Sequence, residues 1–93
     1  MLKFEWDVQK AIRNKEKHKV SFKEASTVFG DALSVTIEDP LHSGNEERMI
    51  QIGTTNKNRL VVAVFTERDD KIRIISARKA TNKERKYYES HGQ

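Results

Sequence analysis

Two runs of β-branched and aromatic residues, Leu60 to Glu67 (LVVAVFTE) and Lys71 to Ala77 (KIRIISA), constrain the fold more than any other feature of the chain. Both have strand length. Arg68-Asp69-Asp70 between them is short, polar and rich in turn formers, so the runs are expected to close as an antiparallel hairpin. Their middles are apolar at odd and even positions alike, the pattern of central strands covered on both faces. Arg78-Lys79-Ala80 follows, then a helix start in which Thr81 stands three residues before Glu84 as a capping box. The helix is expected over Lys83 to Glu89, with basic residues and Tyr87-Tyr88. Cations at the exit of a central strand, beside a basic helix, make a place for an anion.

Upstream, Lys3 to Trp6 fits a short edge strand that packs Phe4 and Trp6. Asp7 caps a helix from Val8 to about His18, with Val8, Ala11 and Ile12 expected on its inner face and Lys10, Arg13, Lys15 and Lys17 mostly outside. Asn14 and His18, four apart, share a face. Ser21 and Glu24 read as a second capping box, with Val20 stapled against Ala25. Phe22, Ala25, Val28 and Phe29 give the apolar face of a short second helix that Gly30 ends. Leu33 to Glu38 alternates as a strand, and Asp39-Pro40 is expected to stop it. Leu41 to Glu47 reads as a polar connection, Arg48 to Gly53 as the next strand, and Thr54 to Asn58 as a loop. The order predicts one α+β domain over residues 1–93: two N-terminal helices, an antiparallel meander of about four strands and a C-terminal helix.

The 93 residues hold no cysteine, which excludes a disulfide framework, a thiolate zinc site and a cysteine nucleophile. His18, His42, Glu46 and Glu47 match no compact metal-ligand spacing, so no metal or other cofactor is expected. No apolar stretch reaches the length of a membrane span and the amino terminus lacks a signal pattern, so no membrane partner and a cytoplasmic location are expected. Charge is unevenly spread. Residues 1–20 carry six Lys/Arg against three Asp/Glu, residues 21–58 three against six, and residues 59–93 nine against five. Basic ends and an acidic middle favour an anionic polymer on one surface.

Ser76-Ala77-Arg78-Lys79-Ala80, Glu84-Arg85 and Tyr88-Glu89 together resemble the C-terminal signature of the BrnT-type toxins, small ribonucleases of bacterial toxin–antitoxin modules. Trp6-Asp7, Lys10-Ala11, Asn14, Lys17-His18, Val20-Ser21-Phe22 and Glu24-Ala25 resemble the amino-terminal half of that family. Phe29, Asp39, His42-Ser43, Glu46-Glu47-Arg48 and Ile52-Gly53 continue the likeness, which spans residues 4–89 in order and spacing. Two positions depart from it. Lys19 stands where many relatives have Gly to end the first helix in a left-handed conformation, and Asp31-Ala32 stands where Asp-Pro is common.

The resemblance implies a RelE-like fold and a toxin restrained by a cognate, BrnA-like antitoxin, with DNA met only through that antitoxin. It implies metal-independent endoribonuclease chemistry, in which a ribose 2′-hydroxyl attacks the adjacent phosphorus. Such a reaction needs a base, cations for the charge developing on phosphate, and an acid for the leaving oxygen. Arg78 and Arg85 are the first candidates, because a planar guanidinium holds phosphate bidentately and stays charged. Arg68, Lys79 and Arg73 are supporting RNA binders. Arg73 and Arg78, five apart, point to opposite faces of a regular strand. Glu84 has a capping role and, near two arginines, can also act as base or orient an arginine. Tyr88 can reach the same patch to stack on a base or donate a proton. His18 and His42 are further acid–base candidates. Apart from the resemblance, the charge map fits two other classes equally well: a non-catalytic nucleic-acid-binding module and a protein-interaction domain.

Overall fold

The computed structural model describes residues 2–43 and 47–91, with backbone only for 40–43. Its elements are β1 (Lys3–Glu5), α1 (Val8–His18), α2 (Phe22–Ser26) with a 3₁₀ turn (Thr27–Gly30), β2 (Val35–Ser43), β3 (Glu47–Thr54), β4 (Leu60–Arg68), β5 (Lys71–Lys79) and α3 (Asn82–His91). The described strands form one sheet in the order β1-β5-β4-β3-β2. From β2 to β5 it is the expected antiparallel meander. β1 instead pairs parallel to β5, with Phe4 opposite Ile72. A strand joined to the sheet through two helices is not bound to hairpin geometry and can dock on the outer edge in either sense.

Local signals set the helices. The Asp7 side chain accepts from the Lys10 N–H at 3.0 Å, and Ser21 Oγ accepts from the Glu24 N–H at 3.0 Å. Lys19 ends α1 at φ 61°, and its N–H donates to the Lys15 carbonyl. The helix thus terminates left-handed without the glycine that this conformation favours.

Phe22, Val20, Ala25 and Val28 pack on Val61, Ala63, Ile74 and Ala77 to form the main core on one face of the sheet. Each buried Val, Ile or Phe side chain here contributes about 1.5–3 kcal/mol, and each alanine correspondingly less. Phe29 joins it to β1 and β4, with its ring 5.4 Å from Phe4 and 5.0 Å from Phe65. Gly53 lies directly beneath the 3₁₀ turn, where a Cβ would stand 2.9 Å from Ser34 Cβ and 3.1 Å from Val28 Cβ. On the other face Tyr87, Tyr88 and Ala80 cover Ile52, Leu60 and Val62. β4 is therefore covered on both sides, and its unbroken apolar run follows from that.

The structure corrects four expectations. Val8 and Ile12 do not face the core: they are 64% and 49% exposed. α1 is turned by Asn14, which donates to the carbonyls of Val20 and Ala77 and accepts from the Ala77 N–H. The amide stands in for a neighbouring strand on the stretch of β5 that β1 leaves uncovered, and Val8 and Ile12 lie roughly 120° and 160° around the helix from it. β2 does not stop at Asp39-Pro40 but runs on to Ser43 after a register shift beyond Glu38. As the edge strand, β2 has one side with no ladder to break. The hairpin turn is two residues long, Asp69-Asp70, with Arg68 opposite Lys71 and Asp69 at φ 56°. Finally, the pairing steps from Phe65–Ile74 to Val64–Ser76, so Ile75 is an extra, bulged residue. That bulge reverses parity along β5. Arg73 lies opposite Thr66 and Arg78 opposite Val62, so the two arginines share a face.

Candidate active site

β3 ends, β4 begins and β5 ends at the same edge of the sheet, and α3 starts there. A cleft of about 460 Å³ opens at this point, lined by Thr54, Asn58, Arg59, Leu60, Lys79, Arg85 and Tyr88. Three of those side chains are cations. Arg78, next to Lys79, is half-exposed beside it and is gripped end-on by Glu84, with Nη1–Oε1 at 2.7 Å and Nη2–Oε2 at 2.8 Å.

The capping box at α3 is formed in both directions. Thr81 Oγ1 accepts from the Glu84 N–H, and Glu84 Oε1 accepts from the Thr81 N–H at 2.8 Å. Glu84 therefore caps the helix and orients Arg78 with the same carboxylate. The Arg78 guanidinium, aided by the Thr81 N–H, outweighs partial burial and holds the Glu84 carboxyl down at about 2. So acidic a group is a poor proton acceptor at neutral pH, which favours positioning over base chemistry.

Tyr88 is anchored rather than free. Its hydroxyl donates to Asp31 Oδ2 at 2.6 Å and lies 3.3 Å from Thr54 Oγ1. Burial and the Asp31 carboxylate both push it above the ordinary phenol range. Burial opposes ionisation of Asp31, but the Thr54 N–H, Tyr88 hydroxyl and Leu33 N–H prevail and keep its carboxyl low. Asp31 thus ties α3 to the start of β2 and the end of β3. Tyr87, on the same helix, stacks on His91, the last residue of α3, at 3.9 Å.

Arg59 was not among the sequence candidates. Its Nε donates to Glu24 Oε2 at 2.9 Å, its Nη2 to Glu24 Oε1, and also to the Lys19 carbonyl at 3.1 Å. Thr55 Oγ1 completes the shell of Glu24 at 2.8 Å. The Arg59 guanidinium is the largest influence on the Glu24 carboxyl and, against burial, keeps it low. Glu24 therefore does not close the second capping box with its side chain. One signal was present in the sequence: Glu24 precedes the core residue Val28 by four, and an acid on a buried face needs a cation.

The structure thus gathers Arg78, Lys79, Glu84, Arg85 and Tyr88 at one end of the sheet. Arg68 sits at the hairpin tip, and eight strand residues at ~3.3 Å each separate that end from Lys79 by about 25 Å. Arg73 lies part-way along β5, paired with Glu5 on β1 at 3.5 Å. His18 is half-buried at the end of α1, one residue before the carbonyl that Arg59 holds, but does not line the cleft. The side chain of His42 lies outside the described residues. Among the described residues no three His, Cys, Asp or Glu side chains gather as a metal site. No described helix is long and apolar enough to cross a membrane.

A mixed sheet with helices on both faces and a cationic cleft at the strand ends defines a small α+β protein whose site is built around basic side chains. Residues 6–84 match the model of a family described as the ribonuclease toxin BrnT of type II toxin–antitoxin systems, and the chain belongs to that family of RNA-cleaving enzymes. The fold is shared with the crystal structure of the ribonuclease toxin BrnT from Brucella abortus. The two are 21% identical, cover 88% of this chain and 100% of that one, and superpose with a TM-score of 0.63. No curated protein sequence matches the chain significantly.

Proposed function

We propose that the cleft at the ends of β3, β4 and β5 binds RNA and that cleavage there proceeds without a metal ion. The 2′-oxygen attacks the adjacent phosphorus, the bond to the 5′-oxygen breaks, and the products are a 2′,3′-cyclic phosphate and a 5′-hydroxyl. Arg78 and Arg85 stabilise the charge that develops on the phosphate oxygens, and Lys79 holds the backbone. Glu84 fixes the plane of Arg78, while Tyr88 holds α3 in place through Asp31. His18, at the same end of the molecule, is the candidate for proton transfer. A co-encoded, BrnA-like antitoxin switches the enzyme off by covering these cations and supplies any contact with DNA.

The observation that carries this reading is the end-on Arg78–Glu84 pair beside a cleft lined by Lys79 and Arg85. Its test is cleavage of a defined RNA by purified toxin in EDTA, with the product ends identified. Cleavage is expected to persist, to yield cyclic phosphate ends, and to weaken steeply with salt as phosphate contacts are screened. Loss of cleavage in EDTA, restored by one divalent ion, overturns the mechanism.

A further inference from the structure

The α1–α2 side of the sheet carries a second concavity, which shares no lining residue with the proposed RNA cleft. Trp6, Val8, Ala11, Ile12 and Phe22 line an apolar groove of about 380 Å³ between α1 and the start of α2. Val8 and Ile12 are two of the four large hydrophobic side chains left exposed among the described residues, and they are neighbours one turn apart. The groove's edges carry Lys15 and Lys23 against Glu16. Asn14 fixes the rotation of α1 by its bonds to Ala77 and Val20, so the helix cannot turn to bury Val8 and Ile12 without breaking them.

We infer that this groove anchors an acidic amphipathic segment of the antitoxin, at a place separate from the cations of the RNA cleft. The inference rests on the toxin–antitoxin reading above, and charge selects the occupant. α1 as a whole carries Lys10, Arg13, Lys15 and Lys17 against the single Glu16. A helix with apolar anchors toward Trp6 and Phe22 and carboxylates toward Lys15 and Lys23 matches both the floor and the rim. A second copy of this chain fits poorly, because a two-fold contact through α1 sets the same lysines against each other. The apolar core of the groove supplies affinity, and the lysines set the orientation. Anchoring here leaves the rest of the antitoxin to cover the cleft at the ends of β3, β4 and β5.

The test uses the whole toxin and its co-encoded antitoxin, with Ile12→Asp as the variant. Ile12 is half-exposed, so folding is expected to survive, and a thermal melt checks it. Binding to the antitoxin is expected to weaken about tenfold or more while the free variant cleaves RNA at the wild-type rate. The Lys15→Glu, Lys23→Glu double variant, which leaves the apolar floor intact, is expected to weaken binding as well and to flatten its salt dependence. If the antitoxin binds wild type and both variants equally, the groove is not its anchor, although the ribonuclease reading stands. Sedimentation of wild type as a dimer that Ile12→Asp dissociates overturns the inference in favour of a self-contact. An antitoxin that fails to bind wild type overturns the inference together with the partner reading beneath it.

Discussion

Two arginine–glutamate pairs flank the cleft, and they differ in what water can reach. Glu24 is 2% exposed and its partner Arg59 31%, whereas Glu84 is 25% and Arg78 42% exposed. The first pair joins α2 to the β3–β4 loop across 35 residues and collects Thr55 and the Lys19 carbonyl as well. The second joins the end of β5 to α3 across six residues, and its other ties are local: the capping bonds between Glu84 and Thr81 and a long 3.4 Å contact from Arg78 Nη1 to the Lys79 carbonyl. Breaking a largely buried pair strands a charge with little solvent, so the first pair is expected to hold the fold. The second leaves the outer side of a guanidinium available, with its plane already fixed. On the function proposed above, identical chemistry serves stability in one place and preorganisation in the other.

The largest expected effect comes from removing the more exposed arginine. Arg78→Ala should lower the RNA cleavage rate by about 10²–10³-fold, the usual loss for one donor to a developing oxyanion. Its unfolding free energy should change by about 1 kcal/mol or less, since exposed pairs contribute little. A variant that unfolds readily yet cleaves normally per folded molecule would assign this pair to the fold as well. Glu24→Ala should do the reverse. Denaturant titration should show a loss of about 2–3 kcal/mol, reduced from the fully buried case because Arg59 is partly solvated. Cleavage per folded molecule should be retained, and a wild-type melt would erase the contrast between the pairs.

Acid sharpens the distinction. The Glu84 carboxyl sits at about 2 in the folded protein against 4.5 when unperturbed. A group depressed on folding contributes its stability fully above the unfolded value and loses it as pH falls toward the folded one. Between pH 4.5 and 2, wild type should therefore lose about 1–2 kcal/mol through this group, after allowing for solvent screening. Glu84→Gln, followed by urea unfolding across that window, should remove this component of the slope. A slope unchanged by Glu84→Gln would show that the pair is not formed in solution. The smallest effect probes the far end of the first pair. Lys19→Gly should stabilise the protein by about 0.5–1 kcal/mol, because glycine relieves the left-handed backbone at the price of some chain entropy. A destabilised variant would show that the lysine side chain contributes more than its backbone strain costs.

Whatever depends on neighbours within a turn or a strand was legible in the residues alone. Asp7, Ser21 and Thr81 cap their helices where their side chains reach an N–H three residues on, and the run from Leu60 demanded a doubly covered strand. The grouping of Arg78, Lys79, Glu84 and Arg85 was legible for the same reason, since a strand end and the first turn of the next helix bring them together. Tertiary structure alone decided the rest. One bulged residue, Ile75, placed Arg73 and Arg78 on the same face, and no local pattern announces where a ladder slips. Asn14 meets Ala77 across 63 residues and Tyr88 meets Asp31 across 57, so the rotation of α1 and the duty of that tyrosine were invisible in either segment. Val8 and Ile12 read as core because periodicity reports which residues share a face, while only packing decides which face turns inward.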